Sequence, residues 1–236
     1  MSNPVNPVCV IVGAGPGNGA ALAQKFAAEG FDIALLARNR ERLSALAASM
    51  PRTKTFVCDV TETASVKSAF TAIAQEMGAV DTVIYNAGKG VWGDALSVSA
   101  GDFEAAWRAN ALGSFLVAQQ VLPAMRQAGK GTIIFMGATA SRRGGAKAAA
   151  FAAAKAAQRV LAESLARAYG PDGVHVCLIV IDAVVDEPHS RAMFSDRDES
   201  FFCKPADIAE TAFMLSRQPS SAWTFELEVR PFAERW

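Results

Sequence analysis

Cysteine and histidine are scarce in this chain of 236 residues, at four and two. Cys9, Cys58, Cys177 and Cys203 are scattered with no C-x-x-C pair, and His175 and His189 stand apart. Zinc sites draw on several such ligands at short, regular spacings, so no metal is expected. Three of the cysteines fall in apolar, strand-like runs, as reduced and buried thiols of a cytoplasmic protein do. No run of about 18 uncharged apolar residues is present to span a bilayer. The start, Met1 to Pro7, lacks the basic and then apolar pattern of a secretory leader. Excess charge is missing too: 23 Lys+Arg balance 23 Asp+Glu, so nothing global draws the chain to nucleic acid or an anionic membrane. There is no G-x-S-x-G elbow of a hydrolase, and no Pro/Ser-rich linker or repeat divides the chain. With 51% hydrophobic and 19% charged residues, the composition is that of a globular protein of the cytoplasm. A single domain over residues 1–236 is expected.

What is present is an alternation. Val8–Val12, Phe31–Ala37, Lys54–Cys58, Thr82–Tyr85, Gly131–Met136 and Val174–Ile181 read as strands. They run as continuous apolar stretches, the pattern of strands buried on both faces. Helical patterns lie between them: from the turn at Gly13–Gly19 through Ala28, over Arg40–Ser49, and near 63–77, 102–127 and 148–169. Trp223–Val229 reads as a last strand, and Pro231–Trp236 as a tail able to reach a neighbouring molecule. Strands alternating with helices predict an α/β fold: a doubly wound, mainly parallel sheet of Rossmann type with helices on both faces.

The segment Gly13-Ala14-Gly15-Pro16-Gly17-Asn18-Gly19 closes the first strand and opens a helix. Glycine suits such a turn because it accepts unusual backbone angles and lets the chain approach a pyrophosphate. The N–H groups at the helix start, with the helix dipole, then bind the phosphates. Gly13, Gly17, Asn18 and Gly19 are therefore candidate nucleotide-binding residues.

This G-x-x-x-G-x-G spacing resembles the short-chain dehydrogenase/reductase family, and further motifs follow in order. Cys58-Asp59-Val60-Thr61 resembles the family's D-V segment, whose aspartate contacts the adenine amino group. Tyr85-Asn86-Ala87-Gly88 resembles its N-N-A-G motif, with tyrosine in the first place. Asn110 matches the asparagine of the catalytic tetrad, and Lys204–Ala209 resembles the start of the last helix. The resemblance implies a nicotinamide cofactor held by Asp59, Val60, Asn86, Ala87, Gly88 and Lys155 besides the glycine turn. It also implies a small-molecule substrate and a homodimer or homotetramer, with the helices carrying Asn110 and Lys155 as contact surfaces. The end of the second strand carries Ala37 and Arg38 in place of an acid, with Arg40 and Arg42 behind. A guanidinium pairs with a 2′-phosphate, so NADP(H) is preferred over NAD(H).

The chemistry is where the chain departs. In the family a tyrosine protonates the carbonyl, a lysine one helical turn later lowers its pKa and holds the nicotinamide ribose, and a serine orients the carbonyl. The i, i+4 spacing puts both helix side chains on one face. Lys155 stands in the lysine place, but Phe151 holds the tyrosine place and Ala138 the serine place. The family's Pro-Gly after the sixth strand is Asp182-Ala183, and its threonine over the carboxamide looks like Asp186. A positioned general acid contributes about 10²–10⁴-fold, so another donor is needed for carbonyl reduction. Thr139, Tyr85, His189 and Lys155 itself are the candidates, while His175, opening an apolar strand, reads as structural. Arg142, Arg143 and Lys147 either attract an anionic substrate or a coenzyme A phosphate, or form a solvated loop. The site is thus expected on Asn110, Lys155, Thr139 and Phe151, in an atypical oxidoreductase or in a protein that binds the dinucleotide without turning it over.

Overall fold

A computed structural model describes residues 6–234. Seven strands form one parallel sheet in the order β3-β2-β1-β4-β5-β6-β9: β1 Val8–Val12, β2 Asp32–Ala37, β3 Thr53–Val57, β4 Val80–Tyr85, β5 Gly131–Ala138, β6 Val174–Ile181 and β9 Glu226–Val229. The doubly wound α/β fold expected from the sequence is what the chain adopts. Strand order reverses between β1 and β4, and in such sheets ligands bind in the crevice beyond the carboxyl ends at that reversal. The last strand begins at Glu226, three residues later than its apolar pattern suggests, because Ser220–Ala222 close a 3₁₀ turn. Of the tail expected at Pro231–Trp236, the last two residues lie outside the described residues.

Strand residues alternate between two cores. Val8, Val10 and Val12 face one, with Val66, Phe70 and Ile73 of α3 (Thr63–Met77) and Leu116, Val121 and Met125 of α5 (Gly113–Ala128). Cys9 and Ile11 face the other, with Leu22 and Phe26 of α1 (Asn18–Ala28), Leu43 of α2 (Arg40–Ala47), and Ile208 and Leu215 of α8 (Pro205–Ser216). Both faces are covered, so every strand position of β1 and β6 is buried. That is why these strands read as unbroken apolar runs.

The helix expected over 102–127 is not continuous. α4 (Ala100–Trp107) passes into a π-helical turn, Arg108–Leu112, before α5 resumes the α form. The apolar spacing conceals this, since one widened turn shifts the stripe only slightly; the turn carries Asn110. By contrast α6 (Ala149–Tyr169) is unbroken for 21 residues, as its alanine run favours. Three short elements escape the sequence pattern: β7 (Val184–Val185) pairs with β8 (Phe202–Cys203), and α7 (Pro188–Met193) lies between them. Pro188 and Pro205 open α7 and α8, where a missing N–H costs nothing.

Candidate active site

The glycine turn lies at the carboxyl end of β1, and its glycines serve different contacts. Gly13 has φ +86°, and a Cβ there would lie 2.4 Å from the Ala87 amide nitrogen. The turn therefore packs directly on the Tyr85-Asn86-Ala87-Gly88 segment, which Asn86 ties down by donating Nδ2–H to the Gly13 carbonyl at 2.8 Å. A Cβ on Gly19 would lie 2.8 Å from Ala14 Cα, so the start of α1 closes onto the turn. Gly17 precedes α1, and among the described residues no side chain caps that helix start. Asn18 is buried there, with Oδ1 lacking a hydrogen-bond partner among the described residues. An uncapped helix start and an unsatisfied side-chain amide at a glycine turn suit a phosphate-bearing ligand.

Asp59 follows β3 and accepts from the Thr61 amide at 2.9 Å and the Thr61 hydroxyl at 2.7 Å. Burial raises its pKa, but these bonds and the guanidiniums of Arg38 and Arg108 outweigh it and leave the carboxyl lowered. Arg38 is exposed beside it at the end of β2. Val60 packs against Gly113, where a Cβ would come within 3.0 Å of it.

The expected Asn110 and Lys155 are brought together. Both are buried, and a Cβ on Gly88 would lie 2.7 Å from Asn110 Oδ1 and 3.8 Å from Lys155 Nζ. Asn110 donates Nδ2–H to the carbonyls of Ala106 (2.8 Å) and Lys89 (3.0 Å), while its Oδ1 has no partner among the described residues. Lys155 donates to the Met136 carbonyl at 2.8 Å and to Gln158 Oε1 at 3.0 Å. Gln158 donates onward to Ser114 Oγ at 2.9 Å, and Ser114 to the Asn110 carbonyl. A buried polar chain thus links the ammonium back to the π turn. Burial lowers the Lys155 pKa from 10.5 to about 8.

The residues expected at the tyrosine and serine places form an apolar wall. Ala138 and Phe151 pack with Ala140, Ala148 and Ala152. The Phe151 ring lies 5.0 Å from that of Trp92, which is 68% exposed. Thr139 is not free to orient a carbonyl, because its hydroxyl donates to buried Asp182. Tyr85 is no donor to substrate either: it is fully buried, burial raises its pKa, and its hydroxyl donates to the Ala109 carbonyl at 2.6 Å. His175 donates Nε2–H to the Thr224 carbonyl, 2.9 Å away, and stacks on Trp223, as a structural histidine does. Arg142 is paired with Glu226 and Glu228, and Arg143 with Asp182 at 3.4 Å. Their charge is spent within the fold, which leaves little to draw an anionic substrate.

Asp186, expected over the carboxamide, is instead held by Arg191 at 2.6 and 2.8 Å. The next residue, Glu187, is the one whose carboxyl reaches the glycine turn at Gly17. Sequence reading missed Glu187, Gln158, Ser114 and Trp92. A polar Gln158 three residues past Lys155, in an otherwise apolar helix stripe, was the one available signal. Among the described residues no three His, Cys, Asp or Glu side chains gather as a metal site needs, and no helix is long and apolar enough to cross a membrane.

Residues 7–196 match the family model described as short chain dehydrogenase. D-threitol dehydrogenase of Mycolicibacterium smegmatis is 31% identical over 221 residues, covering 89% of this chain and 85% of that protein. Among solved structures, a short-chain dehydrogenase from Rhodopseudomonas palustris superposes with a TM-score of 0.84 at 33% identity, over 97% of this chain and 100% of that one. A metagenomic short-chain oxidoreductase in complex with NADP gives 0.83 at 26% identity, over 98% and 100%.

Proposed function

The chain belongs to the short-chain dehydrogenases, a family of oxidoreductases, and on that premise we propose an NADP(H)-dependent enzyme for a small or medium carbonyl or alcohol, with Lys155 as proton donor. A nicotinamide cofactor held at the glycine turn would supply or accept the hydride. Gly13, Gly17, Asn18 and Gly19 take its phosphates, Asp59 and Val60 its adenine, and Asn86, Ala87, Gly88 and Lys155 the nicotinamide half. Arg38, exposed beside Asp59 with Ala37 before it, supports the 2′-phosphate form, and the metagenomic relative carries NADP. Equal affinity for NADH and NADPH would sink that preference.

The observation that carries the reading is the buried ammonium of Lys155. Thr139 is committed to Asp182, Tyr85 to Ala109, and His189 lies exposed at the start of α7. Lys155 has three protons and two are bonded to neutral acceptors, so one remains. With a pKa of about 8 the ammonium gives up that proton near physiological pH, where an ordinary lysine would not. Asn110 Oδ1, on the same side of Gly88, is an acceptor, free among the described residues, that could anchor a water, and that water could return the proton to the lysine.

A second reading, a protein that binds the dinucleotide without reducing a substrate, is favoured by the apolar packing of Ala138 and Phe151 where the family has two hydroxyls. NADPH oxidation over a panel of carbonyls separates the two, using the native chain, Phe151→Tyr and Lys155→Met. The enzyme reading expects native turnover that falls by about 10²-fold or more in Lys155→Met and declines as pH rises through about 8. Turnover only in Phe151→Tyr would move the protein to the second reading. We also propose a homo-oligomer joined through α4, α5 and α6, where Phe103, Trp107, Phe115 and Val160 stand exposed.

A further inference from the structure

The carboxyl of Glu187 lies against Gly17. A Cβ placed on Gly17 would be 2.5 Å from Glu187 Cδ and 2.8 Å from its Oε1. The space that a glycine leaves beside a helix start is therefore filled by a side-chain anion. Gly17 stands at the N-terminus of α1, an 11-residue helix with no acid in its first turn and no side chain capping it. Such a helix end attracts negative charge, and it is the place a phosphate would take.

Glu187 is set there by its surroundings. Just before it, the Asp186 amide donates to the Cys203 carbonyl at 2.9 Å, and its carboxylate grips Arg191. Just after it, Pro188 opens α7, and the Arg191 amide donates to the Glu187 carbonyl at 2.8 Å. The Arg191 guanidinium also covers the Phe202 ring at 4.2 Å, joining α7 to β8. The backbone at Glu187 is held from both sides, so its carboxyl can leave Gly17 only by side-chain rotation or by movement of the whole 184–203 segment.

We propose that Glu187 limits the affinity for the dinucleotide: it is a tethered anion at the phosphate position, which an entering cofactor must displace or neutralise by protonation. This rests on the dinucleotide reading given above. Two anions cannot share one low-dielectric site without a like-charge penalty. Burial already raises the Glu187 pKa, opposed in part by the charge of His189. From the start of α1, Gly17 faces it and does not titrate. Cofactor binding should therefore favour the protonated carboxyl and take up a proton, so affinity rises as pH falls.

The test is titration calorimetry of NADPH and of NADH into the native chain, Glu187→Gln and Glu187→Ala. NADH lacks the 2′-phosphate, whose own ionisation near pH 6 would otherwise confuse the profile. The expected result is tightening by about tenfold or more in Glu187→Gln near neutral pH and above, for both coenzymes. The native affinity should approach that of the variant as pH falls, with proton uptake on binding seen only in the native chain. Equal and measurable affinities at every pH would overturn this inference alone. No saturable binding by native and variants alike would overturn the dinucleotide reading, and this inference with it.

Discussion

Lys155 carries its ammonium into a site where the acceptors it meets, the Met136 carbonyl and the Gln158 amide, are neutral. No carboxylate offsets the loss of water, and its pKa falls from 10.5 to about 8. The folded chain releases this proton near pH 8, while the unfolded chain holds it to about 10.5. The unfolded state binds more protons in that window, so stability rises with pH across it. Relative to Lys155→Met, the native chain should gain ~1.4 kcal/mol per pH unit between about 8 and about 10.5. Paired urea titrations at about pH 7 and about pH 10 measure this, and a flat difference would mean the ammonium is not desolvated. The same desolvation that costs stability at neutral pH makes the group a usable acid.

At the scale of elements, the π turn at Arg108–Leu112 and the tyrosine before Asn86 explain one another. A π turn disturbs the ordinary carbonyl-to-amide ladder, and the Tyr85 hydroxyl donates to Ala109 O within it. Gly113 makes room, since a Cβ there would sit 2.3 Å from the Tyr85 oxygen. Tyr85→Phe leaves that buried carbonyl without its donor and should cost about 1–3 kcal/mol in denaturant titrations. Because the turn carries Asn110, NADPH affinity should fall too; a variant with native stability and affinity would show that the turn stands without the bond. The β7–β8 pair works in a comparable way, holding Glu187 at the glycine turn from an otherwise irregular connection.

Across the whole molecule, parallel order and two buried faces bring glycine turn, Asp59, Asn110 and Lys155 to the carboxyl ends of the strands, although they lie far apart in sequence. The opposite consequence falls on α5 and α6, whose outer faces leave a groove of about 390 Å³ lined by Phe115, Leu122, Leu165 and Tyr169. Exposed apolar surface of this kind marks an association face. A second copy of the chain is the occupant expected, and Phe115→Glu should shift sedimentation toward the monomer with little loss of monomer folding. A native chain that sediments as a monomer would refute the association.

The α/β architecture and the places of Gly13, Asp59, Asn86, Asn110 and Lys155 were legible in the sequence. Buried parallel strands must be continuously apolar, and a phosphate turn must be rich in glycine, so local composition reports both. Motif register also put Phe151 in the tyrosine place and Ala138 in the serine place. What these residues do was not legible. The donors Thr139 and Tyr85 were removed by partners 43 and 24 residues away, Asp182 and Ala109, which no local pattern can pair. The π turn was hidden because one widened turn barely alters the apolar stripe. Asp186 and Glu187 are adjacent acids, and motif register singled out only the first. Only the tertiary structure separates them, giving one to Arg191 and pressing the other against Gly17. Strand and turn chemistry is local and can be read along the chain, whereas the protonation and pairing of single groups depend on neighbours that only folding supplies.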